Sequence, residues 1–129
     1  MNLEKRLKRY TRTLSKDETP KIARLLAPIS RNVRVMEVGS GFGGKMEMLH
    51  QLGFADVLGV EKNAVSVALA RSRGLKAVTL DEFEANPPKE KADLLVLSHI
   101  IEHLPPYEVV ELMEYYLNHL QIGGHVLIV

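Results

Sequence analysis

The sequence predicts a doubly wound, Rossmann-like α/β domain: a mostly parallel sheet of about five strands with right-handed crossovers. Three observations carry this. Five short β-rich runs alternate with helical patterns along the chain. One run, Asp93-Leu94-Leu95-Val96-Leu97-Ser98, is apolar throughout its middle, as in a strand buried on both faces of a parallel sheet. Another, Val33 to Val38, leads directly into the glycine-rich loop Gly39-Ser40-Gly41-Phe42-Gly43-Gly44.

Residues 3–27 read as helical. Leu3, Leu7, Tyr10 and Leu14 recur at helical spacing among Lys5, Arg6, Lys8, Arg9 and Arg12. Asp17 to Pro20 suggests a break, with Thr19 capping a second helix that has Pro20 at its first position. That helix carries Ile22, Leu25 and Leu26 and stops before Pro28. After the first strand and its glycine loop, a helix runs through Met46, Met48, Leu49 and Leu52 and is closed by Gly53. Asp56 to Glu61 is the second strand. Asn63 caps a helix through Val67, Leu69 and Ala70 that Gly74 closes, and Lys76 to Thr79 is a short third strand. Asp81 to Ala85 makes a turn or a single helical turn, and Asn86-Pro87-Pro88 is loop. Past the fourth strand, Pro105-Pro106 opens a helix with an inner stripe of Val109, Leu112, Met113, Tyr116, Leu117 and Leu120. Gly123-Gly124 reads as a turn before a last strand, His125 to Val129.

A chain of 129 residues, 46% hydrophobic and 26% charged, suits one globular domain with one core. It holds no cysteine, which excludes disulfides, thiolate catalysis and Cys-based zinc sites. No apolar run reaches the roughly 18–20 residues of a membrane helix, and no apolar stretch follows the first charges as in a secretory signal. A cytoplasmic protein that does not engage membranes is the default expectation. The formal charge of +1 hides a segregation. Residues 1–34 hold ten Lys/Arg against three Asp/Glu, and residues 35–129 hold seven against thirteen. A basic arm thus precedes an acidic body. It is either a solvated helix attracted to that body or a surface for an anionic partner such as nucleic acid.

In doubly wound sheets ligands sit at the carboxyl ends of the strands, next to the first strand. The polar residues of interest fall at such ends: Glu37 to Gly44, Glu61, Asp81, Ser98 and His99. Gly39, Gly41 and Gly44 fit G-x-G-x-x-G, in which a tight turn brings backbone and a helix N-terminus close to a ligand. Glu61 follows Gly39 by 22 residues, where dinucleotide folds place a ribose-binding acid. A nucleotide-type site is the reading, against a glycine turn with no ligand. Glu37 selects among nucleotides. A carboxylate there repels a pyrophosphate and favours a ligand carrying ammonium and sulfonium groups, and no basic residue lies between Val35 and Gly44.

Glu37-Val38-Gly39-Ser40-Gly41-Phe42-Gly43 resembles motif I, E/D-x-G-x-G-x-G, of the class I S-adenosylmethionine-dependent methyltransferases. Ala92 to Leu104, with its Glu102-His103-Leu104, resembles the family's fourth-strand motif, and Gly123 to Val129 its turn into the fifth strand. The resemblance covers about residues 20–129 and implies strand order 3-2-1-4-5. It also implies a single methyltransferase-like domain over 1–129: a basic helical segment, 1–32, and a cofactor-binding core, 33–129. S-adenosyl-L-methionine is the implied cofactor. Glu37 would meet the methionine ammonium through water or backbone. Gly39, Ser40, Gly41 and Gly43 would form the loop under the methionine and ribose. Glu61 would bind the ribose hydroxyls, Lys62 would flank the adenine, and Asp81 and Glu82 would lie near its amino group. Here Thr79-Leu80-Asp81-Glu82-Phe83 departs from the usual G-D-A element. Ser98 and His99 would border the transfer site, with His99 the first candidate as base or positioning group.

The implied activity is methyl transfer to an unidentified acceptor. An NAD-binding dehydrogenase-type domain and a non-catalytic S-adenosylmethionine-binding module are the alternatives. His99-Ile100-Ile101-Glu102-His103 also fits the H-x-x-E-H of inverted zinc proteases. That motif needs both histidines on one helix, whereas His99 closes a strand and Pro105-Pro106 prevents a long helix from 99, so no metal is assigned. Glu102 and His103 are expected to stabilise the loop. The family's fold has seven strands, and the sequence ends in the fifth, so either a C-terminally truncated chain or an abbreviated form of the fold is expected. The edge from His125 to Val129 would then be open to self-association.

Overall fold

The computed structural model describes residues 18–129. The chain divides into two compact units, Met1–Ser30 and Arg31–Val129. In the first, residues 18–26 are helical and Ile22 and Leu26 are buried. Glu18, Thr19 and Pro20 are all helical, so Thr19 is not the cap the sequence suggested. Proline's fixed φ is itself compatible with helix, which lets the Thr-Pro pair sit within one. The helix ends before Pro28, as expected. The basic pattern from Leu3 to Leu14 lies outside the described residues.

The second unit runs β1 (Arg34–Val38), α1 (Gly44–Gln51), β2 (Asp56–Glu61), α2 (Ala64–Ser72), β3 (Ala77–Thr79), α3 (Leu80–Ala85), β4 (Ala92–Leu97), a 3-10 turn (Ile101–His103), α4 (Pro106–Leu117) and β5 (Leu120–Ile128). All strand pairs are parallel, in the order β3-β2-β1-β4-β5 that the resemblance implied. Local chemistry accounts for the helix ends. Asn63 Oδ1 accepts from the amides of Val65 at 2.9 Å and Ser66 at 3.2 Å. Gly53 and Gly74, at φ +104° and +79°, end α1 and α2 in the left-handed conformation glycine tolerates. The segment after β3 is a six-residue helix rather than a bare turn. A reciprocal capping box between Thr79 and Glu82 supplies its start.

Period-two alternation sends the two faces of each strand to different helices. Met36, Val38, Val60, Leu95 and Leu97 pack with Phe83 of α3 and Tyr116 of α4. On the other face Met46 of α1 lies against Gly59, and Val67 and Ala70 of α2 pack on Ala77. Each large side chain so buried contributes about 1.5–3 kcal/mol. The order reverses between β1 and β4, so the cleft at a topological switch point opens at their carboxyl ends.

Two expectations about the last elements need correction. Val109, Leu112, Met113 and Tyr116 turn inward on α4, but Leu117 is exposed and Leu120 begins β5. Gly123-Gly124 is not a turn ahead of the strand. Ala92 pairs with Leu120 and Leu94 with His125, so residues 121–124 bulge out opposite one residue of β4. Gly123, at φ +84°, makes the bulge possible, and a Cβ on Gly124 would lie 2.9 Å from the Asp93 carbonyl oxygen.

Candidate functional site

Glu37 is the last-but-one residue of β1 and points to the α1 side of the sheet, beside Gly59 and Val96 in register. It is 1% exposed. Ser98, continuing the parity of Leu94 and Val96, donates its hydroxyl to Glu37 Oε2 at 2.6 Å. Glu37 Oε1 and Ser40 Oγ are both buried without a hydrogen-bond partner. Burial pushes the Glu37 carboxyl up from 4.5 to about 7. The Ser98 hydrogen bond and the Lys45 charge pull it down, and Glu61 adds to the rise.

The loop after β1 is held at three levels. The amides of Gly39 and Ser40 both donate to the Val60 carbonyl, at 2.9 and 3.3 Å. The Gly41 amide donates to Glu61 Oε1 at 3.2 Å, and the Asn63 amide to Glu61 Oε2 at 2.6 Å. Arg73, at the C-cap of α2, donates to the Phe42 carbonyl at 2.8 Å and pairs with Glu47 of α1. Glycine is required at Gly39, where φ is +81° and a Cβ would sit 2.7 Å from the Ser98 carbonyl oxygen. Gly41, at φ +54°, has open space above it, so the bare backbone is accessible there. Gly43 caps α1 in the left-handed conformation, with no side chain bonded to the helix's first amides.

A cleft of about 350 Å³ lies at these strand ends. Gly39, Glu61, Lys62, Ser98 and His99 line it together with an apolar wall of Leu80, Ile100, Leu112 and Tyr116. Glu37 sits behind Ser98 rather than on the surface. The structure therefore brings together Glu37, Gly39, Ser40, Gly41, Gly43, Glu61, Lys62, Ser98 and His99. It does not bring Asp81 or Glu82 to the cleft. Glu82 is taken up by Arg71 at 2.8 Å and by the Thr79 amide, which donates to its carboxylate at 3.3 Å, and these hold its carboxyl below the usual carboxylate range. Asp81 is exposed on α3, and Leu80 takes the wall position instead. Leu112 and Tyr116 read in sequence only as core stripe. Nothing in helical periodicity marks which end of a stripe reaches a cleft.

His99 follows β4 at φ +53°, the one non-glycine residue at positive φ among those described. Its amide donates to the Val129 carbonyl at 3.0 Å, and its Nδ1 lies 3.4 Å from Glu102 Oε1. His103 Nε2 approaches the same oxygen at 3.4 Å, so Glu102 lies between the two imidazoles. Among the described residues no group of three His, Asp or Glu side chains is arranged to hold a metal ion. None of the described helices is long and apolar enough to cross a membrane.

A larger cleft, about 490 Å³, opens at the opposite ends of the strands around Arg34, Lys76 and Pro87 to Lys89. Arg34 is already paired there, with Asp56 and Glu90. The glycine-loop cleft is the chemically equipped one. Its orphaned buried acid, accessible glycine backbone and adjacent carboxylate suit a ligand with a cationic end and a polyhydroxylated middle, and the apolar wall suits a flat ring.

Comparison with known proteins agrees. Residues 6–129 match the family model described as "Methyltransferase domain". A ubiquinone biosynthesis O-methyltransferase of Rhodopseudomonas palustris (strain BisA53) is 30% identical over 93 residues, covering 68% of this chain and 35% of that protein. A protein of the same description from Bordetella avium (strain 197N) is 35% identical over 79 residues, 56% of this chain and 32% of that one. The chain thus spans about a third of the length of these relatives. Among solved structures, an S-adenosylmethionine-dependent methyltransferase from Mesorhizobium loti superposes with a TM-score of 0.67 at 24% identity, over 84% of this chain and 51% of the other.

Proposed function

The chain belongs to the methyltransferase domain family, and from that premise we propose that it binds S-adenosylmethionine at the glycine-loop cleft and transfers its methyl group to an acceptor. In this reading residues 33–129 are the cofactor-binding core and 1–32 a basic segment. The observation that carries the reading is Glu37. A buried acid with a bare oxygen at the root of a glycine loop disfavours a pyrophosphate and favours a cationic ligand.

When bound, the cofactor supplies an electrophilic methyl on a sulfonium. The protein's contribution is orientation, worth up to several kcal/mol in such displacements. Glu61 binds the ribose hydroxyls while holding the Gly41 amide. Gly39, Ser40, Gly41 and Gly43 give close backbone approach. Lys62 flanks the base, which rests on Leu80, Ile100 and Leu112. Ser98 and His99 border the acceptor, and His99 takes the acceptor's proton or positions the acceptor. Protein purified without added ligand, heat-denatured and analysed by mass spectrometry, should release S-adenosylmethionine or its demethylated product. Release of stoichiometric NAD instead would refute the assignment.

Two partner surfaces belong to the same proposal. The basic segment offers Lys5, Arg6, Lys8, Arg9 and Arg12 to nucleic acid. A gel shift at low salt should then weaken steeply with added salt and vanish when residues 1–16 are removed. The edge of β5 bears no Asp, Glu, Lys or Arg between Leu120 and Val129, which suits pairing with a second copy. Sedimentation velocity at rising concentration tests that.

A further inference from the structure

The two oxygens of Glu37 are treated unequally. Oε2 receives the Ser98 hydroxyl, while Oε1 is buried without a partner, as is Ser40 Oγ in the glycine loop that follows. An ionised carboxylate in that position lacks most of the hydrogen bonds that water would give it, a penalty that favours the neutral acid. A neutral carboxyl can still use Oε2 as acceptor for Ser98. Nothing about the fold requires the acid: a threonine or valine would complete β1 with less cost. The residue is arranged for something that arrives.

We propose that Glu37 is a proton-exchanging counter-ion, which holds a proton while the loop is empty and surrenders it to solvent when the ammonium of a cationic ligand settles on the loop. This rests on the S-adenosylmethionine reading above and specifies how that site selects its ligand. One proton leaves the carboxyl for solvent, and the ligand's positive charge, seated on the loop in front of Ser98, compensates the buried carboxylate across that loop. A nucleoside that shares the adenosine part but has no ammonium does not drive the exchange.

Charged and titratable groups face Glu37 from each neighbouring element. Lys45 lies at the start of α1 and favours the anion, and Glu61 at the end of β2 opposes it. Ser98 at the end of β4 stabilises the anion through its hydroxyl, and His99 follows it. Burial outweighs these and places the transition near pH 7.

The test is calorimetry of S-adenosylhomocysteine binding at pH 6, 7 and 8 in buffers of different ionisation enthalpy. The wild type should bind about tenfold more weakly at pH 6 than at pH 8 and release about one proton per ligand at pH 6. Methylthioadenosine, which has no ammonium, should bind without proton release. Glu37→Gln should lose the pH dependence, and His99→Gln should keep it. If Glu37→Gln does not fold, the carboxyl ¹³C shift of Glu37 in the wild type decides. It should titrate near pH 7 without ligand and stay in the ionised position through that range with ligand bound. Affinity independent of pH, a pH slope that survives Glu37→Gln but not His99→Gln, or a Glu37 resonance that titrates near 4.5 would overturn the proposal while leaving the cofactor reading intact. No binding of either probe at any pH would refute the cofactor reading itself.

Discussion

Glu37→Gln should make the ligand-free protein more stable at alkaline pH relative to the wild type, and the advantage should disappear in acid. The Glu37 carboxyl rises from 4.5 to about 7 on folding, chiefly because it is buried. Between those values the folded state binds more protons than the unfolded one, so stability falls as pH rises through the window. Above pH 7 the wild type carries the full cost of a buried carboxylate. At 1.36 kcal/mol for each tenfold change in proton affinity, that cost is about 3 kcal/mol. Glutamine is uncharged throughout, and the cost of placing its amide beside Ser98 does not depend on pH. The gap between variant and wild type should therefore shrink by about 2.5 kcal/mol from pH 8 to pH 5, on the order of 10 °C in melting temperature for a domain of this size. Urea unfolding of both proteins at pH 5, 6, 7 and 8 measures it directly. A gap that is constant across pH, or that grows in acid, would show that Glu37 is not a buried, proton-binding acid.

Three other substitutions probe the loop and its surroundings. Gly39→Ala should cost at least about 2 kcal/mol in thermal unfolding, because φ of +81° penalises any side chain and the Ser98 carbonyl is fixed backbone. A smaller loss would mean that β1 and β4 separate easily at the cleft. Glu61→Ala should weaken S-adenosylhomocysteine binding by about 1.5–3 kcal/mol and should also loosen the loop, since the Gly41 and Asn63 amides lose their acceptor; unchanged affinity with an intact circular dichroism spectrum would exclude it from the ribose site. Thr79→Ala should cost about 1 kcal/mol through the lost cap of α3 yet leave that affinity unchanged, and a marked loss of binding would return Glu82 to the site.

The sheet was legible because each strand run is bounded by a residue with one local job. Asn63 caps, Gly53 and Gly74 close, and β4 is apolar where both its faces are covered. Such signals act within four or five residues, and sequence shows them. The last strand was misread for the opposite reason. Gly123-Gly124 has the composition of a turn, and only the pairing of Ala92 with Leu120 and Leu94 with His125 reveals a bulge inside β5. Register is a property of two strands, so one strand's residues cannot state it. The site divides along the same line. Glu37, the glycines and Glu61 lie at strand ends that any doubly wound sheet brings together. Asp81 and Glu82 also lie at a strand end, but Thr79 starts a helix there and consumes Glu82. The apolar wall came from Leu80 and from the upper end of α4, whose position depends on how the helix crosses the sheet. The lone oxygen of Glu37 was beyond sequence altogether, since an unmade hydrogen bond has no residue pattern.

Calorimetric titration at pH 8 with S-adenosylmethionine, S-adenosylhomocysteine and NAD tests the central claim most directly. Both adenosyl ligands should bind at one site per chain, each should compete with the other, and NAD should produce no heat of binding at the same concentrations. Saturable NAD binding with no response to either adenosyl ligand would contradict the reading of Glu37 as the acid that receives a cationic cofactor.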